Sequence, residues 1–243
     1  MSDTTVLPEG SPALHVGFVA LTLLLGALFV AAVYWSSLRT GLDRPTAVRR
    51  ASLAVLGAGA WIGLTGAAAA RGLLHFAPPP TMGIAIGASI ALSIGLALSP
   101  VGKRIAIGLP MAALVGYQSF RILVELLMHR AYAEGLMPIQ MSYSGRNFDI
   151  VTGITALALG AWLSTGRWSR GLVIAWNTIG VLLLANILVV ALLSAPTPLR
   201  VFMNEPANVW ITRAPWVWLP TAMVFAAVFG HVAVYRRLKA PRL

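Results

Sequence analysis

Three ionisable side chains and a glutamine recur at helical spacing in an otherwise apolar stretch. Arg121, Glu125 and His129 are each four residues apart, which puts them on one face of a helix about 6 Å from one another, with Gln118 about one turn before Arg121. A charged side chain in membrane hydrocarbon costs about 2.5 to 3.5 kcal/mol. We therefore expect this ridge to face other helices, with Arg121 and Glu125 paired to each other.

The segment GRNFDI follows the ridge and opens the next apolar run. Asn147 is suited to cap a helix N-terminus, and Asp149 in a first turn is favoured by the helix dipole. Capping does not explain Arg146, which could pair with Glu125 or Glu205, or bind an anion. The predicted ligand-binding residues are Gln118, Arg121, Glu125, His129, Arg146, Asn147, Asp149 and Glu205.

Metal and cofactor chemistry receives little support from the sequence. Glu125 and His129 could share one ion, but no second histidine stands at ligand spacing, so neither a metal site nor a cofactor is predicted. The absence of cysteine excludes disulfides, thiolate metal sites and cysteine nucleophiles. The only lysines, Lys103 and Lys239, flank apolar runs, which excludes a retinal Schiff base. His231 is interpreted as an interfacial histidine outside the ridge.

The composition requires a bilayer around this chain. Of 243 residues, 58% are hydrophobic and only 10% are charged, which is too apolar for an ordinary soluble domain. The predicted fold class is all-α, a polytopic membrane protein with seven transmembrane helices in a single domain. The predicted spans cover about residues 13–35, 51–70, 82–98, 105–128, 148–163, 172–193 and 216–235.

The basic residues that give the net charge of +11 are concentrated in alternate loops. This distribution indicates membrane topology and not a nucleic-acid partner. The C-terminal tail and the loops after spans 1, 3 and 5 hold 12 of the 18 basic residues, against 5 in the N-terminus and the remaining loops. The positive-inside rule then predicts the N-terminus outside and the C-terminus in the cytoplasm. Only Asp43 of the seven acidic residues falls on the cytoplasmic side, so a carboxylate site is expected to open outward.

A stripe of small residues runs along the third predicted span. Gly83, Gly87, Ala91 and Gly95 are spaced by four, a pattern typical of close helix packing in membranes. The stripe predicts either packing within the chain or contact with a membrane-protein partner.

The loop before the last span is rich in tryptophan. Trp210, Trp216 and Trp218 lie in VWITRAPWVWLP, downstream of Glu205 and around Arg213. Tryptophans at a membrane boundary usually form an anchoring belt. The alternative is a lid over the outer pocket, with Glu205 and Arg213 as polar contacts.

Three segments together carry a family resemblance. They are FRILVE (Phe120–Glu125), MPIQMSYSGRNFDIVTGITA (Met137–Ala156), and NEPANVW followed by PWVWLP. The combination resembles a group of bacterial multi-pass inner-membrane proteins, over most of the chain after span 2. The resemblance implies a multi-pass location in the bacterial inner membrane and supplies no catalytic role.

Three functions remain open at this point. In the first, an outward-facing polar pocket binds a small polar or anionic ligand, or a lipid headgroup, for transport or sensing. This pocket would lie between helices 4 and 5 of the prediction, which are the spans at about 105–128 and 148–163. The second is a membrane-embedded enzyme acting on a lipid-linked substrate, with Glu125 or His129 as general base. The third is a non-catalytic subunit of a membrane complex, packed through the small-residue stripe.

Overall fold

The structure, a computed structural model, describes residues 8–240, and every regular element in that range is a helix. Asp3 and Arg242, which enter the charge counts above, lie outside the described residues. Six of the helices, all except α4 and α6, are long and apolar enough to cross a membrane, so the chain is an all-helical, multi-pass membrane protein. The helices are α1 (Pro12–Arg39), α2 (Arg44–Ala70), α3 (Thr81–Leu98), α4 (Pro100–Gly108), α5 (Met111–Ala133), α6 (Ile150–Ser164), α7 (Arg170–Ser194) and α8 (Leu219–Lys239).

Proline decides where several helices begin. Ser11, Asp43 and Ser99 each place a side-chain oxygen on a backbone N–H of the following turn, and a proline stands in the first turn of α1, α2 and α4. This combination is a strong start signal, because proline lacks an N–H that the first turn would leave unpaired anyway.

The structure divides the span predicted at about 105–128. Leu109 is extended, with φ −100° and ψ 145°, and α5 begins after Pro110 and continues to Ala133. Proline disfavours helical geometry in the residue before it. Arg121 therefore lies near the middle of α5, about 15 Å from its start and about 18 Å from its end along the axis.

The close contact between α5 and α6 depends on glycine. A Cβ on Gly160 would meet backbone atoms of Gly116 at 2.8 Å, and one on Gly153 would meet the Ile122 backbone nitrogen at 2.8 Å. Both glycines lie on the face of α6 that is turned to α5. The two backbones consequently approach closely enough for the first residues of α6 to reach the middle of α5.

The α3 stripe, in contrast, does not pack within the described chain. Gly83, Gly87, Ala91 and Gly95 are exposed, and a Cβ on Gly87 or Gly95 would meet nothing within 4 Å. The opposite face of α3 packs on α8. The expectation of packing within the chain is wrong for residues 8–240, and contact with a partner stays a prediction.

Two folded loops cover one end of the bundle, and we call residues 134–149 and 195–218 together the loop cap. Gln140 joins them, since its Nε2 donates to Ser194 Oγ and its Oε1 accepts from Asn204 Nδ2, both at 2.9 Å. At the start of α1, Ser11 donates from N and Oγ to Glu134, both at 2.6 Å. Desolvation raises the pKa of Glu134, but the hydrogen bonds from Ser11 and Arg130, with the charge of Arg130, outweigh it and lower that pKa to about 2.

The anchoring-belt interpretation is wrong for two of the tryptophans. Trp210 and Trp216 are buried and meet the ring of Phe18 edge-on at centroid distances of 5.8 and 5.1 Å. Trp218 is partly buried and donates to the Ile62 carbonyl at 3.1 Å. These rings fix the 195–218 loop to α1 and α2 instead of anchoring it in lipid headgroups.

Gly160→Ala should destabilise the fold, since the added methyl group meets backbone atoms that cannot rotate away. We expect a loss of about 1–3 kcal/mol, the usual cost of overpacking, measured by unfolding of the purified protein in detergent. Gly171→Ala is the matched control, because a Cβ there meets nothing within 4 Å. Equal stability of the two variants would contradict the close approach of α5 and α6.

Candidate functional site

A buried ion pair joins α5 to the start of α6. Arg121 Nε donates to Asp149 Oδ2 at 2.7 Å, and its NH2 contacts the same oxygen. The two residues are 2% and 5% exposed. Asp149 occupies the N-cap position of α6, where the unpaired backbone N–H groups favour a negative charge.

His231 of α8 and Asn177 of α7 complete the surroundings of this guanidinium. Arg121 NH1 lies 2.9 Å from His231 Nε2, and His231 Nδ1 lies 2.8 Å from Asn177 Oδ1. Arginine can only donate, so Nε2 accepts, and Nδ1 carries the proton that Asn177 accepts. The assignment is consistent with Asn177 Nδ2 donating to the His231 carbonyl at 3.1 Å. The imidazole is therefore neutral in this arrangement.

Gly180 makes room for that imidazole ring. It lies three residues after Asn177 on α7, and a Cβ there would meet His231 Cε1 at 2.6 Å. Thr152 lies against the same glycine, with its Cγ2 at 2.9 Å from that Cβ position, and donates from its hydroxyl to Asp149 Oδ1 at 3.2 Å. Four helices thus contribute to one enclosed polar group, which we call the charge cluster: Arg121, Glu125, Asn147, Asp149, Thr152, Asn177 and His231.

Glu125 is held by the loop cap. Asn147 Nδ2 lies 2.9 and 2.7 Å from the two carboxyl oxygens and 3.0 Å from the Met141 carbonyl. Asn147 Oδ1 accepts from the Asp149 backbone N–H at 3.1 Å. One amide therefore connects the Glu125 carboxyl, the 134–149 loop and the start of α6.

Gln118 and His129 lie at the two ends of the ridge. Gln118 is buried in a 3₁₀ turn within α5 and donates to the Ala227 carbonyl of α8 at 3.0 Å, while its Oε1 accepts no hydrogen bond from the described residues. His129 is partly buried, lies 2.9 Å from Ser142 Oγ through Nδ1, and stacks on Tyr143 at 4.4 Å. His129 thus contacts the loop cap, outside the charge cluster.

Arg146 and Glu205 do not join the cluster. Arg146 is exposed, and its guanidinium lies over the Phe202 ring at 5.4 Å. Glu205 pairs with Arg200 at 2.9 Å, and this hydrogen bond lowers the pKa of Glu205. The predicted network linking Arg146 to Glu125 or Glu205 is absent from the ion pairs of residues 8–240.

Two expectations about partners are wrong. Arg121 pairs with Asp149 and not with Glu125, because α6 brings its N-terminus directly against the middle of α5. His231 belongs to the cluster, because α8 passes α5 at the level of Arg121. Asn177 and His231 were visible as polar residues inside apolar runs, but their sequence separation of 54 residues concealed that they meet.

The sharing of one metal ion by Glu125 and His129, which the sequence allowed but did not favour, gains no support from the geometry of the described residues. Within residues 8–240, no three side chains of the His, Cys, Asp or Glu type converge as metal ligands would. His129 faces Ser142 and Tyr143, away from the Glu125 carboxyl that Asn147 holds.

Breaking the buried ion pair should be costly. Arg121→Gln or Asp149→Asn alone should destabilise the protein by about 3–5 kcal/mol, because each leaves an uncompensated buried charge. The double variant should lose less than the sum of the two, since it removes both charges. Unfolding in detergent measures each loss.

Arg130→Gln serves as the control for that cycle. Arg130 pairs with Glu134 on the same helix, but its side chain is 61% exposed. Removing an exposed pair of this kind costs about 0–1 kcal/mol. Strictly additive losses in the Arg121/Asp149 cycle would contradict a direct pair.

Comparisons with known proteins identify one family. No curated protein and no solved structure matches this chain. A family model described as "Domain of unknown function (DUF8737)" matches residues 79–239, which run from just before α3 to the end of α8 and include every member of the charge cluster. Because the match covers well over half of the chain, the protein belongs to this family, the Domain of unknown function DUF8737.

Proposed function

We propose that the protein transports or senses a small polar or anionic ligand across the membrane, and that the Glu125 carboxyl is the proton-binding group that controls it. One observation carries the proposal: Glu125 is 1% exposed and has no cation within ion-pair distance among the described residues. Arg121, the nearest candidate, is already neutralised by Asp149.

The hydrogen bonds around Glu125 support a proton at this position. A carboxylate offers about four acceptor sites, yet both oxygens share Asn147 Nδ2, whose other hydrogen is directed to the Met141 carbonyl. A buried charge with so few donors is costly unless it is paired. Uptake of one proton removes that charge without moving a helix.

The same bonds connect this proton to the loop cap. Asn147 belongs to the 134–149 loop and also binds the Asp149 backbone. When Glu125 is ionised it competes with Asp149 for Arg121, which lies one helical turn away. Because Asn147 Oδ1 accepts from the Asp149 N–H, a change in the protonation of Glu125 that shifts the Arg121–Asp149 pair is transmitted to the loop cap. A ligand would reach the charge cluster from the capped end, because Gly153 and Gly160 keep α5 and α6 in close contact along the rest of α6.

The proposed topology has seven spans, with the N-terminus outside and the C-terminus in the cytoplasm of a bacterial inner membrane. Helix α6 has 15 residues, about 22 Å of rise, against a hydrocarbon thickness of about 30 Å. The 134–149 loop supplies the remaining depth, and its buried residues Leu136, Met137 and Met141 are enclosed by protein. Irregular backbone at membrane depth is tolerated under that condition.

Single cysteines should report this topology without background, because the chain has none of its own. In intact cells, a membrane-impermeant thiol reagent should label Met203→Cys in the 195–218 loop and should not label Thr165→Cys after α6, whereas both should react in opened vesicles. Both positions are exposed. Labelling of Thr165→Cys without Met203→Cys in intact cells would overturn the proposed topology, because the two positions flank α7 and exchange sides if α6 does not cross the membrane.

Infrared difference spectroscopy tests the proton on Glu125. In lipid-reconstituted protein taken through a pH titration, we expect a protonated-carboxyl C=O band that is absent in Glu125→Gln. Tryptophan emission from Trp210 and Trp216 in the loop cap should follow the same titration, because the cap is tied to Glu125 through Asn147.

Glu205→Gln is the control for this experiment, since Glu205 is exposed and paired with Arg200. It should retain both signals. Persistence of the carboxyl band in Glu125→Gln would contradict the proposal, as would an unchanged pH response of the tryptophan emission in that variant.

The two other functions stay predictions. A non-catalytic subunit is favoured by the exposure of Gly83, Gly87, Ala91 and Gly95, which leaves the α3 stripe open to a partner. No comparable observation favours the membrane-embedded enzyme.

A further inference from the structure

A large apolar cleft lies on the other side of the bundle from α6 and α7. Its volume is about 850 Å³, and its walls are formed by α1, α2, α3, α4 and α8, with Tyr117 of α5. The cluster residues Arg121, Glu125 and Asp149 do not line it. The cleft is therefore a second site, independent of the charge cluster.

The cleft is open towards the hydrocarbon between α2 and α3. Helix α2 packs chiefly on α1, and α3 packs on α8 and α4, so that these two consecutive helices hardly touch each other. Leu53 and Ile62 of α2 face Leu92 and Leu96 of α3 across the space. A lipid could therefore enter sideways without passing through water.

The polar groups of the cleft are concentrated at one end. Arg49, Arg50 and Arg104 line the end at which α1 finishes and α2 begins, together with the hydroxyls of Ser36 and Ser37. From Arg49 to Ile62 the wall extends about 20 Å along α2, more than half of the hydrocarbon thickness of about 30 Å. The cleft is therefore an apolar slot long enough for a lipid acyl chain, with a basic mouth formed by Arg49, Arg50 and Arg104.

Arg104 has unused capacity to donate. Its NH1 donates to Thr40 Oγ1 at 3.2 Å, while its buried Nε donates to no acceptor among the described residues. None of the ion pairs of residues 8–240 includes Arg49, Arg50 or Arg104. Asp43 lies at the same end, but it caps α2 by accepting from the Thr46 N–H. Such an arginine mouth matches a phosphate group.

We propose that this cleft binds one anionic phospholipid, with an acyl chain along α2 and its phosphate held by Arg49, Arg50 and Arg104. The proposed topology places the mouth at the cytoplasmic leaflet, where anionic headgroups attract basic side chains. Arg49 and Arg50 precede the residues matched by the family model, whereas Arg104 lies within them.

Native mass spectrometry of the purified full chain tests the headgroup contact. Phosphatidylglycerol and phosphatidylcholine are offered at equal concentration in detergent, and bound lipid is counted. We expect phosphatidylglycerol to be retained about tenfold more, and Arg104→Gln to reduce its retention about tenfold, the effect of losing one charge-assisted hydrogen bond. Lys103→Gln is the matched control, because Lys103 is exposed on the same short helix and does not line the cleft.

A second pair of variants tests the apolar slot. Gly57 lines the cleft and Gly59 does not, and a Cβ on either meets nothing within 4 Å. Gly57→Leu should fill the slot and lower phosphatidylglycerol retention several-fold, while Gly59→Leu should leave it unchanged.

Three results would overturn the proposal. Equal losses in Arg104→Gln and Lys103→Gln would mean general charge attraction, and an unchanged Gly57→Leu would place the lipid elsewhere. Full displacement of the lipid by millimolar inorganic phosphate would make free phosphate the ligand. Neither the headgroup variants nor the slot variants involve Glu125. A negative result in these lipid experiments would therefore not contradict the proposal that Glu125 binds a proton.

Discussion

The Arg121–Asp149 ion pair is the interaction on which the arrangement of this bundle depends. Neither charge can be left in hydrocarbon alone, and neither is reached by water, since both residues are nearly fully buried. Their pairing requires that the N-terminus of α6 lie at the level of the middle of α5. The short α6, the folded 134–149 loop and the Gly153 and Gly160 contacts all follow from that requirement.

The pair also determines what its neighbours can do. Because Asp149 neutralises Arg121, the guanidinium binds no free anion in this state and instead donates to a neutral His231. Within residues 8–240, Glu125 is left as a buried carboxyl without an ionic partner, held by one amide from the loop cap. A polar cluster with every donor directed to an acceptor is rigid, and the incompletely paired member is where a change of charge would act.

The bundle separates two kinds of site. On the α6 and α7 side, polar side chains from four helices fill the interior. On the α1 and α2 side, the interior is an apolar space with arginines at its mouth. Tyr117, which lines the cleft, is four residues before Arg121 on α5, so that helix contacts both. The family match includes the whole charge cluster and the parts of the cleft that α3, α4 and α8 contribute, and it begins after α1 and α2.

Local sequence signals predicted much of this architecture. Long apolar runs predicted the helices, and Ser, Asp and proline at their starts explain where three of them begin. The four-residue spacing of Arg121 and Glu125 correctly put both side chains inside the bundle, since no other environment suits them. The GRNFDI segment likewise predicted Asn147 and Asp149 as members of the site, and both are buried in the cluster.

The sequence alone thus determined an all-helical membrane protein with buried charges near residues 118–149, because burial in lipid follows from residue type and spacing. Tertiary structure decided which charges pair, since Arg121 meets Asp149 across 28 residues and His231 across 110. It also decided that the α3 glycines face outward and that Gly153 and Gly160 face inward. Glycines on one face of a helix look the same in the sequence in both cases, because only the position of a neighbouring helix shows which of them are in contact.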